Sequence, residues 1–306
     1  MRWTPGGTSG DIEDDRNSSG SGGGGFGGIH IGIGGLLVLL VLSFIFKRDL
    51  ITPFLNGGAA VGSGSSAPMS RPPDPARDAA EANEVKFVSF VLDDAQNTWS
   101  QILPQYRHAK MVLFRDDVNS ACGLAQAATG PFYCPGDEKV YLDLSFFSEL
   151  KNRFGASGEF AQAYVIAHEL GHHVQKILGT EGKVRSLQQQ SPQLRNELSV
   201  KLELQADCYA GVWGHSTEQR NILEQGDVES GLNAAAAVGD DHIQKMTQGE
   251  VMPEKFTHGT SAQRVQWFKQ GLTTGNINSC NTFAASVAAK HASRRAPLQS
   301  LDLSPS

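Results

Sequence analysis

The chain has 306 residues, which is room for one or two domains, and 40% of them are hydrophobic, which is enough for a core. Its formal net charge is −6 and it carries no basic stripe, so the composition argues against a nucleic acid partner. Glycine is in excess at 34 residues, and much of that excess lies near the N-terminus.

The sequence of the N-terminal quarter does not predict a folded domain. Residues 1–28 are polar and glycine-rich, which predicts a disordered segment. Residues 29–46 carry no charge, and as a helix they would be roughly 27 Å long, so they predict one transmembrane helix. Lys47 and Arg48 end the apolar run without a cleavage site for a signal peptidase, which favours an uncleaved anchor. Basic residues flank both ends, so charge alone leaves the orientation open.

The remainder divides into a linker at 47–77, a folded domain at 78–285 and a disordered tail at 286–306. Within the domain, the apolar spacing predicts a small sheet followed by a mostly helical half, which is an α+β fold. The predicted strands are 109–117 and 138–144, separated by a long loop at 119–137. The predicted helices are 81–103, 145–155, 159–179, 191–214, one or two within 217–247, and 261–271.

Four cysteines, Cys122, Cys134, Cys208 and Cys280, form no CxxC pair, which argues against a zinc knuckle. Behind a membrane anchor they indicate two disulfides in an oxidising compartment, and this favours an extracytoplasmic domain. Three pairings are possible. We favour Cys122–Cys134 with Cys208–Cys280, because the first pair would close one local loop. The alternative is four reduced and buried thiols.

The helix predicted at 159–179 contains the sequence HELGH, from His168 to His172, an HExxH element. Positions i and i+4 share a helix face, so His168 and His172 can bind one zinc ion through their ring nitrogens. Glu169 lies beside such a metal and can act as the general base toward water. His173 points about 100° away around the helix, so it cannot join the same ion. Gln175 and Leu178 exclude the metzincin pattern.

A catalytic zinc site needs a third protein ligand. Glu203 and Asp207 are again i and i+4, on the helix predicted at 191–214 and among apolar residues. We predict Glu203 as the third ligand, in a gluzincin-like arrangement. We predict that Asp207 hydrogen-bonds the outer nitrogen of a ligand histidine.

The tetrahedral oxyanion of peptide hydrolysis needs a donor, and the candidates are His258 and Tyr133. The alternative for His258 is a residue that lies beside the start of the last helix. Asp240 and Asp241 are predicted to cap a helix rather than to contact metal. By analogy with zincin-like folds, the strand at 139–144 would be an edge strand that pairs with an extended substrate.

Several motifs resemble one family, the bacterial neutral zinc metallopeptidases. They are HELGHHVQ, ELQADCYAGVW, GDDHIQ at 239–244, HGTSAQRVQWFKQG at 258–271, the N-terminal MRW with its acidic patch, and CGLAQAATGPFYCPGDEKVYLD. The resemblance implies a single-pass membrane protein with a zincin-like domain, with His168 and His172 as zinc ligands and Glu169 as catalyst. It implies no particular substrate.

The sequence therefore predicts a zinc (Zn2+) metallopeptidase, anchored in the bacterial inner membrane and acting on peptides or proteins at the extracytoplasmic side. Two alternatives remain at this stage. One is a non-catalytic, zinc-stabilised module that binds partners at the cell envelope. The other is a zinc amidase acting on cell-wall peptides, because the same activated water can attack any amide.

Overall fold

A computed structural model describes residues 1–18, 74–127 and 130–283 of the chain. The described residues form a mixed α+β fold that is mostly helical, with two small sheets, as the sequence predicts. The strands are β1 (Ile12–Asp14), β2 (Lys110–Phe114), β3 (Asp117–Ser120), β4 (Gly123–Gln126), β5 (Phe132–Cys134) and β6 (Lys139–Asp143). The α-helices are α1 (Pro75–Ile102), α2 (Ser145–Asn152), α3 (Glu159–Ile177), α4 (Thr180–Gln190), α5 (Arg195–Gln219), α6 (Asp227–Ala237), α7 (Asp240–Gln248) and α8 (Ser261–Thr274).

The larger sheet has the strand order β1-β2-β6-β5. β1, β2 and β6 are parallel, and β5 is antiparallel to β6. Four of the five residues in both β2 and β6 are buried, as continuous apolar strands in a covered sheet require. The prediction that the strand at 139–144 is an edge strand is wrong, because β5, which lies in the predicted loop at 119–137, pairs with its outer side.

Residues 1–18 belong to the fold, so the prediction of disorder over 1–28 is wrong for this part. β1 pairs with β2 in the register Ile12–Met111. The Trp3 ring packs edge-to-face on Phe87 of α1, with the ring centroids 5.4 Å apart. The segment is polar and glycine-rich on average, so its composition did not indicate that a few apolar side chains pack against the domain.

A buried ion-pair network also fixes the N-terminal segment to the domain. The Arg16 side chain donates to Glu81 of α1 at 2.8 Å, and Glu81 also accepts from Arg115, which follows β2, at 2.6 Å. Both arginines are almost fully buried. The folded unit therefore includes residues 1–18, and its helical part begins at Pro75 rather than near residue 78.

The predicted transmembrane helix at 29–46, most of the linker at 47–77 and the whole tail at 286–306 lie outside the described residues. Within 1–18, 74–127 and 130–283, no helix is both long enough and apolar enough to cross a membrane.

Both favoured disulfides are present. Cys122 is bonded to Cys134, and Cys208 to Cys280. The first crosslink joins the β3–β4 hairpin to β5. The second joins the middle of α5 to the turn of 3-10 helix at Ile277–Cys280.

Three helices come together by close backbone contact at glycines. A Cβ added at Gly171 of α3 would lie 2.9 Å from the carbonyl oxygen of Ala206 on α5. Gly211 of α5 and Gly271 of α8 form a similar contact between their helices. The helices predicted to end at residues 214 and 271 both continue past these glycines. These glycines permit the close packing that brings α3, α5 and α8 together.

Gly271→Ala is expected to lower the free energy of unfolding by about 3 kcal/mol or more, the upper end of the usual cost of overpacking. The added Cβ would lie 1.9 Å from the carbonyl oxygen of Cys208, and a backbone atom cannot move aside as a side chain can. Denaturant unfolding measures the change. The matched control is Gly182→Ala on α4, where nothing lies within 4 Å and alanine favours the helix by about 1 kcal/mol. Equal stability of the two variants would contradict the expected close contact.

Candidate metal centre

Three potential metal ligands converge between α3 and α5. His168 and His172 project from one face of α3, and Glu203 projects from α5. The His168 Nε2 lies 3.2 Å from one carboxylate oxygen of Glu203, and the His172 Nε2 lies 3.6 Å from the other. The three ligand atoms lie within 4.8 Å of one another. The structure thus brings together the three ligands predicted from the sequence.

The donor set fits zinc. Two imidazole nitrogens and one carboxylate oxygen are the protein ligands of a common type of catalytic zinc site. Burial alone would raise the pKa of Glu203, but the neighbouring His172 and His168 hold it well below its usual value, so the carboxylate is ionised. Each ring uses its Nδ1 in a protein hydrogen bond, so both Nε2 atoms are left to face Glu203.

Asp207 holds the outer nitrogen of His168, as predicted. The distance from His168 Nδ1 to the Asp207 carboxylate is 2.8 Å, and the Asp207 side chain is fully buried. The same carboxylate accepts from the Tyr164 hydroxyl at 2.5 Å and from two nitrogens of Arg264, both at 2.9 Å. With its oxygens engaged in this way, Asp207 orients His168 and is not free to bind metal.

Oppositely charged neighbours set the pKa values of Asp207 and His168 in this buried cluster. Burial opposes ionisation of Asp207, but Arg264 and His168 lower its pKa to about 2. Burial likewise opposes a charged His168, but Asp207 and Glu203 raise its pKa to about 9 in the metal-free protein. Two carboxylates, Asp207 and Glu203, and two cations, Arg264 and His168, thus balance one another in the metal-free cluster.

Arg264 and Tyr164 were missed by the sequence reasoning, although their positions carried a signal. Arg264 is four residues before Phe268, so it occupies the buried face of α8. Tyr164 is four residues before His168, on the same face of α3. An arginine on the apolar face of a helix needs a buried anionic partner, and here that partner is Asp207.

Arg264→Met is expected to lower the free energy of unfolding by about 3 kcal/mol, the lower end of the cost of breaking a buried ion pair, because the buried Asp207 carboxylate keeps His168 as a cationic partner. The measurement is denaturant unfolding in the presence of a chelator, so that loss of metal does not contribute. Arg185→Met is the control: its side chain is 60% exposed and pairs with Glu181, so the change should stay within about 1 kcal/mol. A small effect at Arg264 would show that the cluster is not a structural ion pair.

Glu169 lies next to His168 on α3 and is buried, with 8% exposure. Burial raises the pKa of its carboxyl group to about 7. Packing of β5 against α3 places the backbone N–H of Tyr133 near this carboxylate, where it opposes the shift. Glu169 is thus held at the boundary between α3 and the edge strand of the sheet.

His173 does not belong to the metal cluster, in agreement with its predicted direction. It is fully buried, which excludes a surface position. Its Nε2 is 2.8 Å from the carbonyl oxygen of Arg107, and its Nδ1 is 2.9 Å from the Tyr133 hydroxyl. The Tyr133 hydroxyl is therefore engaged away from the metal ligands.

His258 lies just before α8, with Nδ1 3.1 Å from the carboxylate of Asp240. Asp240 also accepts the backbone N–H groups of Thr257, His258 and Gly259 at 2.6–2.9 Å. The Asp240 side chain makes no helix cap, so that prediction is wrong; the carboxylate instead fixes the turn that carries His258. The His258 side chain is 48% exposed, and Asp240 and Glu203 raise its pKa.

The chain belongs to the family described as "Putative neutral zinc metallopeptidase", which matches residues 1–283. The family name supports a zinc-dependent peptidase at that coarse level.

Similar proteins occur in distant bacteria. The chain is 47% identical over 294 residues to "Uncharacterized protein YpfJ" of Escherichia coli strain K12, covering 94% of this chain and 100% of that protein. It is 44% identical over 224 residues to "Uncharacterized protein Rv2575" of Mycobacterium tuberculosis strain H37Rv, covering 68% of this chain and 74% of that protein. No solved structure matches.

Proposed function

We propose that this protein is a gluzincin-like zinc endopeptidase that hydrolyses peptide bonds with Glu169 as its general base. The observation that carries the proposal is the convergence of His168, His172 and Glu203 beside a buried Glu169. A module that only bound zinc for stability would have no use for a buried carboxylate at that position. The facing helices and the sheet edge beside them support a zincin-like arrangement.

His168, His172 and Glu203 would hold the zinc. Bound zinc supplies Lewis acidity, which polarises a carbonyl group and lowers the pKa of water toward neutrality. Glu169 accepts a proton from the attacking water and later returns it to the leaving amine. In the metal-free protein burial raises its pKa to about 7, and a bound dication would lower it toward the ionised form that a general base requires.

His258 is our candidate for the donor that stabilises the oxyanion. Asp240 binds its Nδ1 and so leaves Nε2 as the nitrogen available to substrate. Glu203 is near enough to influence the His258 pKa, so the imidazole lies beside the proposed metal ligands. Asp240 would thus act through His258 by fixing its ring.

The substrate is proposed to be a peptide in an extended conformation. β5 is an edge strand of the larger sheet and packs against α3, the helix that carries Glu169. An extended chain could add to this edge through backbone hydrogen bonds. Backbone recognition of this kind would favour broad sequence specificity.

Two disulfides support an oxidising, extracytoplasmic compartment for the domain. Contact with the inner membrane through residues 29–46 stays a prediction from hydropathy.

Incubation of the full-length protein with a broad peptide library should give cleavage products detectable by mass spectrometry. Cleavage should stop when a zinc chelator is added and return when zinc is restored. A wild-type protein that binds zinc and leaves every peptide intact would overturn the proposal and favour a non-catalytic module. Cleavage confined to cell-wall peptides would favour the amidase alternative.

A further inference from the structure

The outer nitrogen of His172 begins a chain of buried hydrogen bonds that ends at a disulfide. His172 Nδ1 is 3.0 Å from the side-chain oxygen of Gln175. The Gln175 amide nitrogen donates to the carbonyl oxygen of Leu202 at 2.7 Å and to the side-chain oxygen of Gln205 at 3.2 Å. The Gln205 amide nitrogen donates to the carbonyl oxygen of Cys280 at 3.0 Å.

The donors and acceptors of this network can be assigned in one consistent way. Both donors of the Gln175 amide face acceptors, so its oxygen must be the atom that faces His172. An oxygen there requires a proton on His172 Nδ1. The Nε2 lone pair is then left free for metal, on the side where Glu203 lies. The amide of Gln175 thus selects the imidazole tautomer that can bind a cation.

Gln205 sets the orientation of Gln175. Its oxygen accepts from Gln175, and its nitrogen donates to Cys280, so neither amide can rotate by half a turn without leaving buried polar groups unpaired. Gln175 and Gln205 are 1% and 6% exposed, so water is largely excluded from replacing the lost bonds.

The last acceptor comes from a distant part of the chain. Cys280 lies beyond α8, 72 residues after Cys208, and the disulfide joins the two. Cys208 is on α5, less than one turn from Gln205. The crosslink therefore holds the Cys280 carbonyl at the end of the network.

We propose that Gln175 and Gln205 are positioning residues for His172, and that the Cys208–Cys280 crosslink anchors them. This inference rests on the proposed metal site. It gives the two histidine ligands different supports: a charged carboxylate, Asp207, behind His168, and a neutral relay of amides behind His172. Loss of such outer partners typically weakens metal binding by roughly 10- to 100-fold.

The test is a titration of the full-length, metal-free protein with Co2+, followed by visible absorption, which reports both affinity and ligand geometry. Three variants interrupt the relay: Gln175→Leu, Gln205→Met, and the double variant Cys208→Ser with Cys280→Ser. Gln205→Met keeps nearly the same length, adds no charge and removes both hydrogen bonds of the relay at this position, so it remains informative if the Gln175 variant fails to fold. We expect each to bind Co2+ roughly 10- to 100-fold more weakly, with a changed spectrum.

Two matched controls interrupt similar features elsewhere. Gln96→Leu removes another fully buried glutamine, which bonds Asp11 and the backbone of Ala109. The double variant Cys122→Ser with Cys134→Ser removes the other disulfide. Both should keep the wild-type Co2+ affinity and spectrum even where they lower stability.

The outcomes separate the two proposals. If the folded relay variants bind Co2+ as the wild type does, while His172→Ala does not, the relay proposal is wrong and the metal site stands. If His172→Ala binds as well as the wild type, the metal site itself is wrong. Equal weakening in the relay variants and the controls would overturn the relay by showing a general effect of stability.

Discussion

Glu169→Gln is expected to reduce peptide hydrolysis by roughly 10²- to 10⁴-fold, the usual contribution of a general base, while zinc content stays at the wild-type level. Glutamine has almost the same shape as glutamate and keeps a side-chain oxygen in the same place. It cannot take a proton from water. The measurement is the rate of cleavage of a peptide found in the library, together with elemental analysis of the same sample.

The matched control for this variant is Glu159→Gln, the same substitution on the same helix. Glu159 is at the start of α3, roughly three turns before Glu169, and its side chain is half exposed. It should cleave the peptide at the wild-type rate. Undiminished hydrolysis by Glu169→Gln would refute the role of Glu169, whereas joint loss of zinc and activity would assign it a part in holding the metal.

Glu203→Ala is expected to weaken zinc binding by more than the roughly 10- to 100-fold that follows loss of an outer partner, because it removes a direct ligand. It also removes the negative charge nearest both histidine Nε2 atoms. The wild type should contain one zinc per chain after purification, and the variant much less. Elemental analysis and competition with a chelator of known affinity measure the difference.

Glu197→Ala is the control on the same helix. Its side chain is 55% exposed and pairs with Lys201, so it should leave zinc content unchanged. Full zinc occupancy in Glu203→Ala would mean that the third ligand lies elsewhere. His258 would then be the next candidate, since Asp207 is already fully engaged by His168, Tyr164 and Arg264.

The parts of the site that sequence could predict are those set by helical periodicity. His168 with His172, and Glu203 with Asp207, share a helix face whatever the rest of the fold does. Their convergence also needed the two helices to face each other, and this was inferred from what zinc requires rather than from any local pattern. The structure brings together the ligand atoms of His168, His172 and Glu203 as that reasoning expected.

The parts that sequence could not predict depend on contacts between distant segments. β5 has three residues, too few for a periodic signal, and it exists because it pairs with β6. β1 is equally short and lies nearly 100 residues before its partner β2. Gln175 served in the sequence only to exclude the metzincin pattern, whereas its contact with Gln205 shows a positive role.

The position of Asn17 has a consequence for topology. Asn17 accepts the backbone N–H of Asp74 at 3.4 Å and donates to Asp78 at 2.8 Å, so the two described segments that end at residue 18 and begin at residue 74 lie close together there. Because β1 also pairs with β2, residues 1–18 lie on the same side of any membrane as the rest of the described domain. Whichever compartment contains the metal ligands also contains Met1.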